Sequence, residues 1–245
     1  SYSVLEFRRV LFRSGAFGEG PKPVLLGSVA AGGLADWERI GEHLWATPPL
    51  GTPSSQASPL SVDVGNIIFD HGQSTGQEVA EADLHRDDDY FYDARTKHVK
   101  LRSDDNPTTR YRSIELALRK HLIDQSGRAY VTYENLDLRY GAAHGIGGGN
   151  THHITIRGCN LSFIGGGHQF TREDGTPVRF GNGIEFWSDA RDCLVEDCCL
   201  WEIYDAALTN QGDGTNVQEK ITYRRNVIWN CEYSFEYWNR GSGSV

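Results

Sequence analysis

The sequence predicts an all-β chain built as a right-handed parallel β-helix, a solenoid truncated at both ends. Three observations predict it. Four segments of the second half align over eight residues, starting at Val131, Ile154, Cys193 and Ile221. Apolar residues recur at offsets 0, 2 and 7, and a small or apolar residue usually sits at offset 5. The starts are spaced by 23, 39 and 28 residues, a plain repeat and then two repeats that each carry a loop. Self-similarity at such a period marks stacked supersecondary units. Each unit is also too short for a helical pair and rich in β-branched and aromatic residues, which suit strands. Stacked coils bring residues far apart in sequence into columns on one face.

The chain divides into three stretches. Residues 1–14 are set apart, because Leu5 to Ser14 reads as one frame of common sequencing-adapter DNA and is excluded from fold reasoning. Residues 15–129 are expected to form irregular early coils, with insertions, of the same β-helix. A Gly-rich turn leads through Pro21 and Pro23 into a first strand. Residues 47–59, with four prolines, read as loop, and 64–69 as a buried strand. Residues 89–93 and 98–102 alternate as two strands about a turn. Ile114, Leu118 and Leu122 fall on one helical face, which predicts a helix over 112–123, with a strand as the competing reading. Residues 130–245 form the regular coils. Each has a third strand, seen at His144 to Gly147, Asn182 to Trp187, Ala206 to Gln211 and Tyr233 to Trp238, with Ile146, Ile184, Leu208 and Phe235 inward. A long loop from Gly165 to Arg179 overhangs the same edge.

Side chains alternate along a strand, so inward Ile184, Leu208 and Phe235 put Glu185, Thr209 and Glu236 outward in one column. Trp187, Gln211 and Trp238 form the next. Two coils separate Glu185 from Glu236, about 9.6 Å between backbones at the usual strand spacing. That is close to the roughly 6.5–9.5 Å gap of an inverting glycosidase pair, which leaves room for an attacking water. Asp205 lies one coil from each. Converging carboxylates raise one another's pKa, which supplies a protonated acid near neutral pH. These residues point to Glu185, Glu236 and Asp205 as catalytic carboxylates. Trp187, Trp238, Gln211, Asn182, Thr209, His144 and Arg179 are the candidate sugar-binding set. The competing reading is a solvated sheet face whose acids pair with Arg179, Arg191 or Arg240.

Five cysteines, Cys159, Cys193, Cys198, Cys199 and Cys231, mostly occupy core ladder offsets, where Cys acts as a small hydrophobe. Their spacing lacks the paired-ligand pattern of zinc, and no metal site is expected. The run Asp87-Asp88-Asp89 has calcium-type ligands, but such runs are usually solvated. The chain holds 33 Asp and Glu against 24 Lys and Arg, which argues against nucleic acid. No apolar run approaches the roughly 20 residues of a spanning helix. The expected partner is a polysaccharide or oligosaccharide, met by a monomer, with neither nucleic acid nor membrane.

The Ile154-Thr-Ile-Arg-Gly-Cys-Asn-Leu161 ladder and Gly181-Asn-Gly-Ile-Glu-Phe-Trp187 resemble right-handed β-helix proteins of the pectate-lyase-like superfamily. The resemblance is good over 130–240 and loose over 15–129. It implies a carbohydrate-active protein outside the cytoplasm, secreted or periplasmic. Asn182-Gly-Ile-Glu185 lacks the aspartate before glycine that polygalacturonases carry, and no Arg-Ile-Lys segment occurs. The leading expectation is an inverting glycoside hydrolase with no cofactor. The alternatives are a polysaccharide lyase, with Arg179, Arg224 or calcium neutralising a uronate, and a non-catalytic carbohydrate-binding or adhesin β-helix.

Overall fold

The computed structural model describes residues 12–16, 18–50, 63–118 and 120–240. The remainder, which includes residues 5–11 of the adapter-like stretch and 51–59 of the expected loop, lies outside the described residues. The chain is all-β, and its second half is arranged in parallel sheets. One sheet stacks Val131–Glu134, Thr155–Arg157, Arg191–Glu196 and Glu219–Arg224 in that order, every pair parallel. The other stacks Asp137–Gly141, Asn160–Ile164, Cys199–Asp213 and Val227–Arg240, again parallel. A second run of that sheet takes Ile123–Asp124, Ile146–Gly147 and Ile184–Trp187 onto the far half of Cys199–Asp213. The four aligned segments therefore pair in the register their sequences predict.

Period-two alternation drives this. Ile154, Ile156, Leu161, Val195 and Leu200 are fully buried in one core with Ile146, Ile184 and Phe186. The corner between the first two strands of each repeat is left-handed: Asn135 (φ 55), Gly158 (φ 59), Asp197 (φ 57) and Arg225 (φ 55). Asn, Gly and Asp bear that conformation at low cost, which punctuates the repeat. The next residue adds a ladder. Cys198 Sγ accepts from Cys159 N (3.4 Å), and Asn226 Oδ1 accepts from Cys198 N (3.0 Å). All five cysteines are free thiols, and Cys159, Cys193 and Cys198 are buried in the core. Phe235 continues the inward column on Leu208 but is half exposed, since only one neighbouring strand covers it among the described residues.

Residues 18–118 differ. Ile114–Leu118 lies between Ser28–Ala30 and Val64–Phe69, antiparallel to both. A separate sheet runs Glu38–Gly41, Leu44–Ala46, His98–Arg102, Asp89–Asp93 and Gln77–Glu78. Val64, Ile67, Phe69, Tyr90, Val99 and Leu116 form its own core. The helix read over 112–123 does not form. Ile114, Leu116 and Leu118 also alternate, and pairing on both sides of this segment overrides its helical spacing. The one α-helical turn among the described residues is Pro107–Arg110, capped by the Asn106 side chain. Asp87, Asp88 and Asp89 are engaged internally: Asp87 with Arg102 and Arg110, Asp88 with the Tyr111 hydroxyl, Asp89 with the amides of His85 and Arg86. Among the described residues no cluster of three His, Cys, Asp or Glu is arranged to hold a metal.

Phe12–Gly15, whose first three residues belong to the stretch set apart above, pairs parallel with Val131–Glu134. An open sheet edge accepts any extended segment, so this pairing is no guide to the segment's origin. No helix of the described residues is long and apolar enough to cross a membrane.

Candidate functional site

Strand register builds the site. Glu185 pairs with Thr209 and Thr209 with Glu236; beside them Trp187 pairs with Gln211 and Gln211 with Trp238. Ile184 and Phe186 face the core, so Glu185 faces outward between them. It is nevertheless only 5% exposed. The loop over 165–179 covers this edge, folded into an antiparallel hairpin of Gly167–Thr171 and Pro177–Phe180. Beneath it runs a cleft of about 1310 Å³, lined by Glu185, Asp205, Glu236, Trp187 and Trp238, with His144, Asn182 and Gln211. The two tryptophan rings stack at 6.2 Å.

Glu185 is held by two side chains. Asn182 Nδ2 donates to its Oε2 (2.9 Å), and His144 Nε2 lies 3.3 Å from the same oxygen. Burial pushes this carboxyl up to about 7; the Asn182 hydrogen bond opposes that rise, and the charges of Asp205 and then Glu236 add to it. Burial likewise pushes half-buried Asp205 up to about 6, helped by Glu236 and Glu232. Glu236 accepts from Gln211 Nε2 (2.6 Å). Arg191 and Arg179 make no ion pair with Glu185; the Arg240 side chain lies outside the described residues.

Two sequence candidates sit differently from expectation. Thr209 is fully buried, so it spaces the two glutamates and offers no surface to a ligand. Arg179 reaches the cleft rim, but its guanidinium is committed to Glu78 (2.6 Å), Asp63 (3.2 Å) and the Gly166 carbonyl (2.7 Å). That network borders a second, smaller cleft of about 340 Å³ between the hairpin base and the early sheet. There burial, then the Asp63 charge, push Glu78 up to about 7 although Arg179 pulls it down. Two carboxylates share one guanidinium, which reconciles the short ion pair with the raised pKa.

Sequence reasoning missed Lys120, His121 and Asp124, which also line the larger cleft. A signal was present. His121 precedes His144 by 23 residues, the plain repeat spacing, and their rings stack at 4.8 Å and 5°. The cleft thus carries Asp124, Glu185, Asp205, Asp213 and Glu236 against Lys120, Arg172 and the committed Arg179.

No protein-family model matches this chain, and no curated protein matches it. Among solved structures, XylC in complex with xylose is similar, with a TM-score of 0.56 and 8% identity over 90% of this chain and 51% of that one. The chain spans about half the length of XylC. At that identity the likeness is one of fold alone: an all-β chain with parallel sheets.

Proposed function

We propose that the stacked repeats form a right-handed parallel β-helix of the pectate-lyase-like kind, and that the Glu185 cleft is the active site of a glycoside hydrolase. The observation that carries this is a buried carboxyl that no Lys or Arg pairs with among the described residues. It stands in register with a second carboxylate two strands away and beside two tryptophans. Glu185 is the general acid: near neutral pH a carboxyl pushed up to about 7 keeps a substantial protonated fraction. Glu236, held by Gln211, is the base that activates water. Trp187 and Trp238 offer apolar faces to sugar rings.

The charge of the cleft bears on the substrate. Carboxylates outnumber cations, which repels uronates and favours a neutral glycan. A lyase would need a cation for the uronate. Arg179 is paired with Glu78 and Asp63, and Arg224 with Glu196, which weighs against that reading. The xylose bound by XylC is a neutral sugar, in keeping with this class. In this reading the protein is an extracytoplasmic monomer that needs no cofactor.

One observation favours a second stereochemical outcome. Asp205 acts on Glu185 more strongly than Glu236 does. Retaining enzymes keep their two carboxyls about 5–5.5 Å apart, so with Asp205 as the partner it would attack the sugar directly and configuration would be retained.

The test is a screen of neutral and uronic polysaccharides, following reducing ends and ultraviolet absorbance. Reducing ends from neutral glycans, lost about a thousandfold in Glu185→Gln, are expected. Absorbance from a new double bond would replace the hydrolase by a lyase, and full activity in both Glu185→Gln and Glu236→Gln would remove the site. Proton NMR of the first-formed anomer separates Glu236 from Asp205 as partner.

A further inference from the structure

We propose that His144 and Asn182 are positioning residues that reserve one oxygen of Glu185, Oε1, for proton transfer. The inference rests on Glu185 being the acid, and it follows from two main-chain amides. An amide N–H can only donate. The Asn182 N–H donates to His144 Nδ1 at 2.9 Å, so that nitrogen holds a lone pair. The imidazole is therefore neutral with its proton on Nε2, and its 3.3 Å contact with Glu185 Oε2 is a donated hydrogen bond between a neutral ring and a carboxyl. The Ala206 N–H donates to Asn182 Oδ1 at 3.1 Å, which turns the Nδ2 group toward Glu185 Oε2, 2.9 Å away.

Both side-chain donors thus converge on Oε2, each oriented by a backbone group that cannot reverse. A neutral carboxyl has one hydroxyl and one carbonyl oxygen. With Oε2 accepting twice, the carbonyl is Oε2 and the proton resides on Oε1. The acid is delivered from a single atom, without a rotamer search at each turnover.

The surroundings keep the donors rigid. His144 is buried, stacked flat on His121 and edge-on to Phe180, and its own N–H donates to His121 Nδ1 at 3.3 Å. Gln125 Nε2 donates to the Glu185 carbonyl at 3.1 Å, which anchors the main chain. The charged and titratable groups facing this carboxyl are Asp205 and Glu236, with Lys120, His121, Asp124, Arg172, Arg179 and Asp213 around the cleft. The sequence places the parts in successive repeats: Asn182 lies just before the strand Ile184–Trp187 that carries Glu185, His144 just before Ile146–Gly147, which pairs with it on one side, and Ala206 on Cys199–Asp213, which pairs with it on the other.

The experiment begins on the unmodified protein. Nitrogen NMR of the His144 ring near neutral pH should show Nδ1 unprotonated and Nε2 protonated. The opposite tautomer, or an imidazolium, overturns the proposal. Carboxyl-carbon NMR then follows Glu185 through a pH titration in His144→Phe, which keeps the stack and removes the donor, and in His144→Gln, which can restore it. Donors stabilise the carboxylate, so His144→Phe should raise the Glu185 midpoint by about one pH unit, and His144→Gln should bring it part of the way back. An unmoved midpoint in a folded His144→Phe protein overturns the positioning role. The alkaline limb of kcat/KM on the best neutral glycan should move with that midpoint. If the midpoint moves and the limb does not, positioning stands and the assignment of Glu185 as acid falls.

Discussion

Glu78, partly buried, and Glu185, buried, are two glutamates in two clefts, both pushed up to about 7, and their surroundings differ in kind. Glu78 shares the Arg179 guanidinium with Asp63 and touches the Tyr90 hydroxyl at 3.3 Å. Asp63 also accepts from the His168 amide at 2.5 Å, so the cluster staples the hairpin to the early sheet. Glu185 is offered Asn182 and, in the tautomer proposed above, a neutral His144. A fixed counter-charge makes a buried acid a structural tie, whereas neutral donors leave its proton free to be exchanged. With Glu185 as the acid proposed above, the same direction of shift accompanies two different jobs, and the partner tells them apart.

Removing the counter-charge gives the largest expected contrast. Arg179→Met strands Asp63 and Glu78 and should cost about 3 kcal/mol of stability by denaturant unfolding. Glu185→Gln keeps its hydrogen bonds and should cost no more than about 0.5 kcal/mol. Equal losses would mean that both acids are structural.

The pH dependence sharpens the same comparison. Glu185 is raised from an ordinary 4.5 to about 7, so it contributes stability that is full below 4.5 and lost as pH rises through 7. Stability of the unmodified protein relative to Glu185→Gln should therefore fall between those values, and relative to Glu78→Gln likewise. Thermal unfolding across that range reads it. A difference that instead grew with pH would reverse the sign of the shift. Glu196 and Asp197, held low by Arg224 and Arg225, act oppositely but cancel in each comparison.

The smallest contrast concerns ligand. Trp187→Ala should weaken oligosaccharide binding about tenfold by calorimetry. Tyr204→Ala, in the smaller cleft, should leave it unchanged. A larger loss at Tyr204 would move the binding site to the Glu78 side.

Legibility in the sequence followed locality. Strand alternation together with a repeat was enough to align Glu185 with Glu236 and Trp187 with Trp238 before any coordinates, because parallel pairing conserves offset. The 112–123 segment was misread because Ile114 and Leu118 satisfy both a strand and a helix period, and only its neighbours decide. The Asp63–Glu78–Arg179 cluster was illegible: more than a hundred residues separate Asp63 from Arg179, and no repeat relates them. The sequence places His144 only in the sugar-binding set, since its tautomer depends on an amide one repeat away.

On the sheet face that carries Glu185, Thr209 and Glu236, an outward group can be displaced across the strands only by a whole strand spacing, about 4.8 Å. Distances across this face are counted and not tuned. Placing a second carboxylate at position 209 instead of 236 shortens the gap by one count, from a span that admits water to one in which the carboxylate itself reaches the sugar. In the hydrolase proposed above, the stereochemistry of the product would become an integer property of the stack. A chain that gains or loses one repeat between its two acids would change it in a single step, with no intermediate geometry to pass through.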